Sequence, residues 1–335
     1  MAQSLDALLP WFDAHKRDLP WRRTDDPWAI WVSEVMLQQT QVATVVPYYL
    51  RWLQRFPRPQ ALAEADEQEA LALWQGLGYY RRCRLLQKGA RHVVEHGYPE
   101  AYEGWLKVPG VGPYTAGAIA SIAFGVPVPV VDGNVERVYA RLRADRKTGA
   151  ELHRNAWKWS RKVLDKKRPG AWNEALMELG ATVCRPGKPD CPRCPVETAC
   201  VGRMLGLEES LPTRQAPPKV VKLRHAVWVP VFEGKFGVVQ IPEGQWWEGM
   251  WEFPRAESEG PMEVPELREL VGPGWLQTAG QIHHTVTRHK ITIDVSLIRC
   301  ETRSERLRWE TAEGLARLPM PTPQRRCLKA ALLRL

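Results

Sequence analysis

Residues whose types and spacing could do chemistry lie in three places: around Glu34, along 108–134, and in a group of cysteines at 184–200. In the second, Val108-Pro109-Gly110-Val111-Gly112-Pro113-Tyr114-Thr115 is a Pro-Gly-Val-Gly turn between two helical patterns. Glycine permits backbone angles closed to other residues, so the amides of Gly110, Val111 and Gly112 can point outward at one anion. The helix that follows adds its positive N-terminal end. Such a turn clamps a phosphate without any side-chain charge. Asp132 comes one short helix later, immediately before Gly133-Asn134-Val135-Glu136-Arg137-Val138, where it takes the cap position of a helical run. First-turn amides stabilise a capping carboxylate as an anion. A fixed anion close to a phosphate clamp points to chemistry on nucleic acid, although either feature alone is common.

Glu34 sits in a helical pattern, Trp28–Gln39, with Ile30, Val32, Val35, Met36 and Leu37 forming an apolar surface around it. Asp26 and Pro27 open that helix as cap and first residue. A carboxylate beside so much apolar surface is costly unless it is paired, protonated or facing a cleft. From this segment alone, a partly exposed Glu on an amphipathic helix is the simpler reading. The third place is Cys184-x6-Cys191-x2-Cys194-x5-Cys200. Four cysteines this close in a chain of a reducing compartment imply a metal site rather than disulfides, and zinc is the default for four thiolates. Cys83, Cys300 and Cys327 are isolated and read as structural.

The elements that must position these residues change character along the chain. At 335 residues there is length for two or three domains. Up to about residue 205 the pattern is helical, beginning with Ser4–Ala14 and broken repeatedly by Pro and Gly, with no strand alternation. Gly76-Leu77-Gly78-Tyr79-Tyr80-Arg81-Arg82 is a turn whose aromatics could wedge into a base stack while its arginines hold phosphates; one of the two tyrosines can equally be core. A polar, Pro-rich linker occupies 206–224. Beyond it Ala226–Phe232, Phe236–Ile241 and Ile291–Ile298 read as strands, with short helices at Pro265–Leu270 and Pro323–Leu335. The net charge of +9 calls for a polyanionic partner. Residues 141–168 hold eleven Lys/Arg against three acids, so one segment carries much of that excess. No apolar stretch suits a membrane span and Met1–Trp11 lacks a signal-peptide pattern, so the expectation is a cytoplasmic protein with reduced thiols.

Taken together, several motifs resemble the MutY-type adenine DNA glycosylases of the endonuclease III superfamily. They are Leu19-Pro-Trp-Arg22, Trp31-Val-Ser-Glu-Val-Met-Leu-Gln-Gln-Thr-Gln-Val42, Gly76–Tyr80, Val108–Ala116, Val131-Asp-Gly-Asn-Val135, Glu178-Leu-Gly-Ala and the four-cysteine loop. The resemblance implies an all-α helix-hairpin-helix glycosylase core with an iron–sulfur loop, followed by an α+β Nudix-like domain. It implies a cluster-containing helical domain from 1–20 and 131–205, a six-helix domain at 21–130, and a lesion-recognition domain at 225–335. A [4Fe–4S] cluster on Cys184, Cys191, Cys194 and Cys200 follows from the resemblance, not from spacing. So do the catalytic roles: Glu34 as the acid that protonates adenine and Asp132 as the anion facing the sugar, with Tyr114 and Asn134 hydrogen-bonding around them. Trp21, Arg22 and Glu178 are expected to line the adenine pocket. Gln38, Gln39, Tyr79 and the turn 110–112 are expected at DNA. The partner is double-stranded DNA with adenine opposite 8-oxoguanine or guanine, bound by a monomer.

Tyr114 stands where bifunctional relatives place a lysine that attacks the sugar as a Schiff-base nucleophile, and a phenol cannot do that. Endonuclease III-like action on oxidised pyrimidines is the alternative activity, disfavoured by Tyr114 and by the C-terminal domain. A non-catalytic lesion-binding protein is the other alternative, but binding alone needs neither Glu34 nor Asp132. The family's loop commonly contains Phe-Ser-His; the matching stretch here is His283-His284-Thr285-Val286-Thr287-Arg288-His289-Lys290-Ile291, where Thr287 can replace the Ser hydroxyl but Val286 and Arg288 are different chemistry. Thr287, Arg288 and His289 are expected to form a loop tip that meets the 8-oxoguanine strand. The Nudix-like domain has no run of acidic residues that a pyrophosphatase would need for metal.

Overall fold

The computed structural model describes residues 5–213, 219–257 and 264–335. The chain divides into two compact units: Met1–Glu64 with Leu85–Ala216, and Ala65–Arg84 with Pro217–Leu335. Residues 65–84, expected within a helical domain at 21–130, thus group with the C-terminal segment. Residue 4 of the first expected helix and residues 214–218 of the expected linker lie outside the described residues.

The first unit is helical. Its opening helix, Leu8–His15, sets Leu8, Leu9 and Phe12 into a core with Val135, Val138, Trp172, Leu176 and Leu179. The helix Pro27–Leu37 begins as its sequence dictates: Asp26 Oδ1 accepts from the Trp28 amide at 3.1 Å and Pro27 takes the first turn. From Trp28 to Met36 every residue is buried, so this is a core helix, not the amphipathic surface helix its polar residues suggest. The helix Pro169–Thr182 packs against both Pro113–Ala123 and Gly133–Arg143, and the three carry Tyr114, the Asp132 cap, Asn134 and Glu178. Between the first two of these, buried Asn173 donates to Ser121 Oγ and to Val128 O, both at 2.9 Å, and accepts from Val130 N at 3.1 Å. One satisfied amide thereby fixes the extended segment that leads to Asp132. No strand occurs before residue 221 among the described residues, and no helix there is long and apolar enough to cross a membrane.

Among the described residues, the second unit holds a mixed sheet of seven strands: β1 Val221–Phe232, β2 Lys235–Gln240, β3 Trp251–Glu252, β4 Arg255–Glu257, β5 Gly274–Val286, β6 His289–Cys300 and β7 Arg308–Glu310. The order is β3-β2-β1-β6-β5, with β4 on β1 and β7 on β2; only β1 and β6 run parallel. Alternation along β1 sorts its side chains: Val227 and Val229 join Val295, Leu297 and the helix Thr322–Leu332 on one face. Ala226 and Trp228 meet Leu267 and Val271 of the helix Pro265–Val271 on the other. The sequence pattern misses β5, whose residues are half-buried or exposed apart from Ala279 and Ile282. Twelve of its thirteen residues pair in a long antiparallel ladder to β6, and the remaining one, Ala279, forms a bulge between Thr278 and Gly280. The two-residue linkage between those strands is the region expected to read the lesion strand.

Candidate active site

Glu34, Tyr114, Asp132 and Asn134 come together in one cleft of about 460 Å³ in the helical unit. Trp21, Arg22 and Glu178 line the same cleft, as do Arg17, Glu174 and Met177. Glu34 is 5% exposed. Burial, opposed by a hydrogen bond from Tyr114 and reinforced by the nearby Glu174 and Asp132 carboxylates, pushes its pKa up to about 7. The Tyr114 hydroxyl donates to Glu34 Oε2 at 2.6 Å and lies 3.5 Å from Met177 Sδ. Burial and the adjacent carboxylates also push the phenol well above its ordinary value.

Asp132 caps the helix Gly133–Arg143. Its Oδ1 accepts from the Val135 amide at 2.8 Å and its Oδ2 from Asn134 Nδ2 at 2.6 Å. The cap was expected to favour the anion. Burial outweighs those hydrogen bonds and Arg137, so the carboxyl is held above its usual value. The two acids nonetheless differ in environment: Glu34 accepts one hydrogen bond, from Tyr114, with Arg22 nearby, while Asp132 accepts from the Val135 amide and the Asn134 side chain, with Arg137 nearby.

Trp21 is buried and meets Tyr49 edge-on at 5.3 Å. Glu178 lines the cleft, but its oxygens are committed: Arg17 donates through Nε and Nη2, both at 2.7 Å, and through its amide at 3.1 Å, while Arg22 Nη2 donates at 3.0 Å. Its carboxyl falls to about 2: burial would raise it, and the hydrogen bonds from Arg17 and Arg22 outweigh that. Glu178 therefore orients two guanidiniums instead of presenting a vacant acceptor. Arg22 Nε also reaches Glu174 Oε1 at 2.9 Å. Arg17, Glu174 and Met177 were not found from the sequence. The i, i+4 spacing of Glu174 and Glu178 on an otherwise apolar helix was the available signal. Gly180 follows on that helix because a Cβ there would sit 2.6 Å from Asn134 Cβ.

At the hairpin turn, Gly110 has φ +80° and its Cβ would lie 2.6 Å from Leu85 Cβ, so glycine is required. Gly112 differs from expectation: its φ is −94°, open to any residue, and an added Cβ would meet nothing within 4 Å. Val111 differs too. Its amide closes the turn on Val108 O at 3.1 Å and is therefore already taken. Gln38 ends the Glu34 helix and its Nε2 donates to Thr115 Oγ1 at 3.3 Å; exposed Gln39 has φ +57°. In the second unit, Tyr79 is 47% exposed at φ +48° while Tyr80 is buried, so only Tyr79 can serve as a wedge. Thr287, at φ +50°, and Arg288 form the exposed turn between β5 and β6. His289, expected at the tip, is instead the first residue of β6, with its ring 4.9 Å from that of Trp246.

The four cysteines line one cavity walled by Val138, Leu142, Leu179 and Val183. No three acidic, histidine or cysteine side chains among the described residues converge closely enough to hold a single ion. Arg141, fully buried, donates to Cys184 Sγ at 3.3 Å and to the carbonyls of Arg185, Gly187 and Leu211. Arg137 joins this loop to the cleft, since it donates to Cys184 O at 2.8 Å and to Asn134 Oδ1 at 2.7 Å.

A family model described as HhH-GPD superfamily base excision DNA repair protein matches residues 32–162, and a NUDIX domain model matches 225–330. Among solved structures, a thermostable thymine-DNA glycosylase is similar at TM-score 0.55 and 26% identity, covering 59% of this chain and 94% of that one. A trapped endonuclease III–DNA covalent intermediate is similar at TM-score 0.53 and 26% identity, covering 61% and 95%. The chain is 43% identical to an adenine DNA glycosylase of Arabidopsis thaliana over 74% of its own length, and 51% identical to that of Homo sapiens over 61%. It spans 46% and 40% of those two relatives. The adenine DNA glycosylase of Mus musculus is 37% identical over 96% of this chain and 76% of the relative. On that match, which includes both the helical core and the C-terminal domain, the chain belongs to the adenine DNA glycosylase family.

Proposed function

We propose that the protein is a monofunctional DNA glycosylase of base excision repair that flips adenine from a mispair with 8-oxoguanine or guanine and hydrolyses its N-glycosidic bond. The observation that carries this reading is Glu34: a buried carboxyl near pKa 7, held by Tyr114, in the same cleft as a capped Asp132. Adenine is a poor leaving group until a ring nitrogen is protonated, and a carboxylic acid half-protonated near neutrality supplies that proton. Departure of the base leaves positive charge on the sugar. Asp132, fixed by Val135 and Asn134, stabilises that charge electrostatically or by transient bonding before water completes hydrolysis. Arg22, oriented by Glu174 and Glu178, and the indole of Trp21 are the groups we assign to receiving the flipped base. Tyr114 offers no amine for a Schiff base, so the product is an intact abasic site.

Cys184, Cys191, Cys194 and Cys200 are proposed to hold a [4Fe–4S] cluster. Four thiols spread around one apolar cavity suit a cluster better than one ion, and the Arg141 N–H on Cys184 Sγ matches the hydrogen bonding such sulfurs take. When bound, the cluster braces the loop that carries Arg185, Lys188 and Arg193 towards phosphates. The purified protein should be yellow-brown; a colourless, active protein containing one zinc would overturn the cluster while leaving the activity. The activity itself is tested by single-turnover assays on duplexes with adenine opposite 8-oxoguanine, adenine opposite guanine, and thymine glycol. Excision of adenine alone, with strand breaks only after alkali, is expected. Efficient borohydride trapping or cleavage at thymine glycol would overturn it.

A further inference from the structure

The segment Ala65–Arg84, which carries Tyr79, is fastened to one loop of its own unit, residues 242–250 between β2 and β3. Arg84 Nη1 donates to Glu248 O at 2.6 Å and pairs with the Glu248 carboxylate at 2.8 Å, both side chains being largely removed from water. Gln68 Nε2 donates to Gly249 O at 2.9 Å, while Gln68 Oε1 accepts from Trp251 Nε1 at 2.9 Å. Gly249 has φ +78°, and a Cβ there would lie 3.2 Å from Glu67 Oε1 and 3.3 Å from Arg84 Nη1. The same loop grips the β5–β6 hairpin. Trp246 meets the His289 ring edge-on at 4.9 Å, and Trp247 lies 5.9 Å from the His284 ring. Tyr79, Trp247 and Thr287 all sit at positive φ, at 48°, 63° and 50°. Bulky and β-branched residues keep that conformation only where their surroundings over-determine it.

We propose that the 242–250 loop is a connector that fixes the Tyr79 wedge and the Thr287–His289 hairpin relative to each other, with Arg84, Gln68 and Glu248 as positioning residues for discrimination of the base opposite adenine. The inference rests on the reading that Tyr79 enters the stack and the hairpin reads the lesion strand. A wedge and a reader acting on neighbouring nucleotides must keep register to within about an ångström, because small misplacements of contacting groups cost large factors in rate. A covalent linker alone leaves that register loose. Two ends of one loop, each held by directional contacts, do not.

The test uses the full chain and reads the ratio of single-turnover excision rates, 8-oxoguanine:adenine over guanine:adenine, at saturating protein. Arg84→Met and Gln68→Met are each expected to lower this ratio by about 5-fold, at the weak end of site-to-site coupling. Thr287→Ala should lower it as well. Combined with Gln68→Met it should fall little further, because contacts acting through one another are not additive. The charge-swapped pair Arg84→Glu with Glu248→Arg restores the ion pair though not the bond to Glu248 O, so it should recover part of the ratio lost in Arg84→Glu alone, which excludes Arg84 acting only on phosphate. If Thr287→Ala alone leaves the ratio unchanged, the hairpin reading fails and the connector with it. If Thr287→Ala lowers the ratio and the Arg84 and Gln68 variants do not, or if the losses multiply independently, the hairpin reading stands and the connector is overturned.

Discussion

Tyr114 and Glu34, eighty positions apart in sequence, share a 2.6 Å hydrogen bond in which the phenol donates and the carboxyl accepts. The phenol thereby takes part in setting the acid. Burial drives the Glu34 pKa upward, and the Tyr114 bond is the largest influence pulling it back, so the value of about 7 is a balance between the two.

Tyr114→Phe removes the donor that favours the ionised carboxylate and leaves the desolvation in place. The Glu34 pKa should therefore rise above 7, and the alkaline limb of the excision rate should move to higher pH. The measurement is a single-turnover pH profile from 5 to 9 on adenine opposite 8-oxoguanine. A limb that stays where it is, or moves to lower pH, means that another group controls the proton.

Glu34→Gln should bind DNA and fail to excise, and it should also change stability in a defined pH window. A carboxyl raised from 4.5 to about 7 binds more protons folded than unfolded between those values. The wild-type chain thus loses stability as pH rises through that window and does not regain it above. The loss is on the order of 3 kcal/mol if the shift is taken at face value. Denaturant melts of the two proteins should nearly coincide near pH 4.5 and separate above pH 7, with the Gln variant more stable. Parallel curves across the window would mean that Glu34 is not desolvated as the structure has it.

Much of this site is legible in the sequence wherever one segment sets both the helix and the functional residue. Asp26 and Pro27 announce the helix that buries Glu34, and Asp132 announces its own cap. What is not legible depends on distant partners. Arg17 meets Glu178 across 161 positions, so nothing local distinguishes Glu178 as an acceptor for two arginines from Glu178 as a base contact. The strand β5 escapes for a different reason: its ladder to β6 supplies the order that alternating burial supplies elsewhere. The grouping of 65–84 with the C-terminal segment is purely tertiary.

Deleting the chain beyond residue 213 should do more than remove the proposed reader of the opposite base. Gln68, Gln75 and Arg84 all bond to residues after 247, with Arg325 Nη2 donating to Gln75 Oε1 at 3.2 Å. The truncated protein should melt at lower temperature, and proteolysis should cut first within 65–84. If excision opposite guanine and the melting temperature both match the full chain, that segment holds its fold without these partners.

The two glycines of the hairpin separate folding from binding. Gly110→Ala forces a Cβ into a left-handed conformation and to 2.6 Å from Leu85 Cβ. The backbone strain alone costs about 1–3 kcal/mol, before the clash is relieved. Gly112→Ala meets neither problem, since its φ is −94° and nothing lies within 4 Å of the added carbon. Its melting temperature should match the parent to within what a surface change causes, about 0.5 kcal/mol. If a phosphate oxygen approaches the Gly112 amide at the start of the helix Pro113–Ala123, the new methyl group obstructs it. Losing one charge-assisted bond should then weaken duplex affinity by roughly 10-fold. The comparison is made at one salt concentration in the Glu34→Gln background, where binding is measured without excision. Gly112→Ala binding as tightly as its parent would place the phosphate elsewhere, and would leave Gly110 as a residue required by the turn alone.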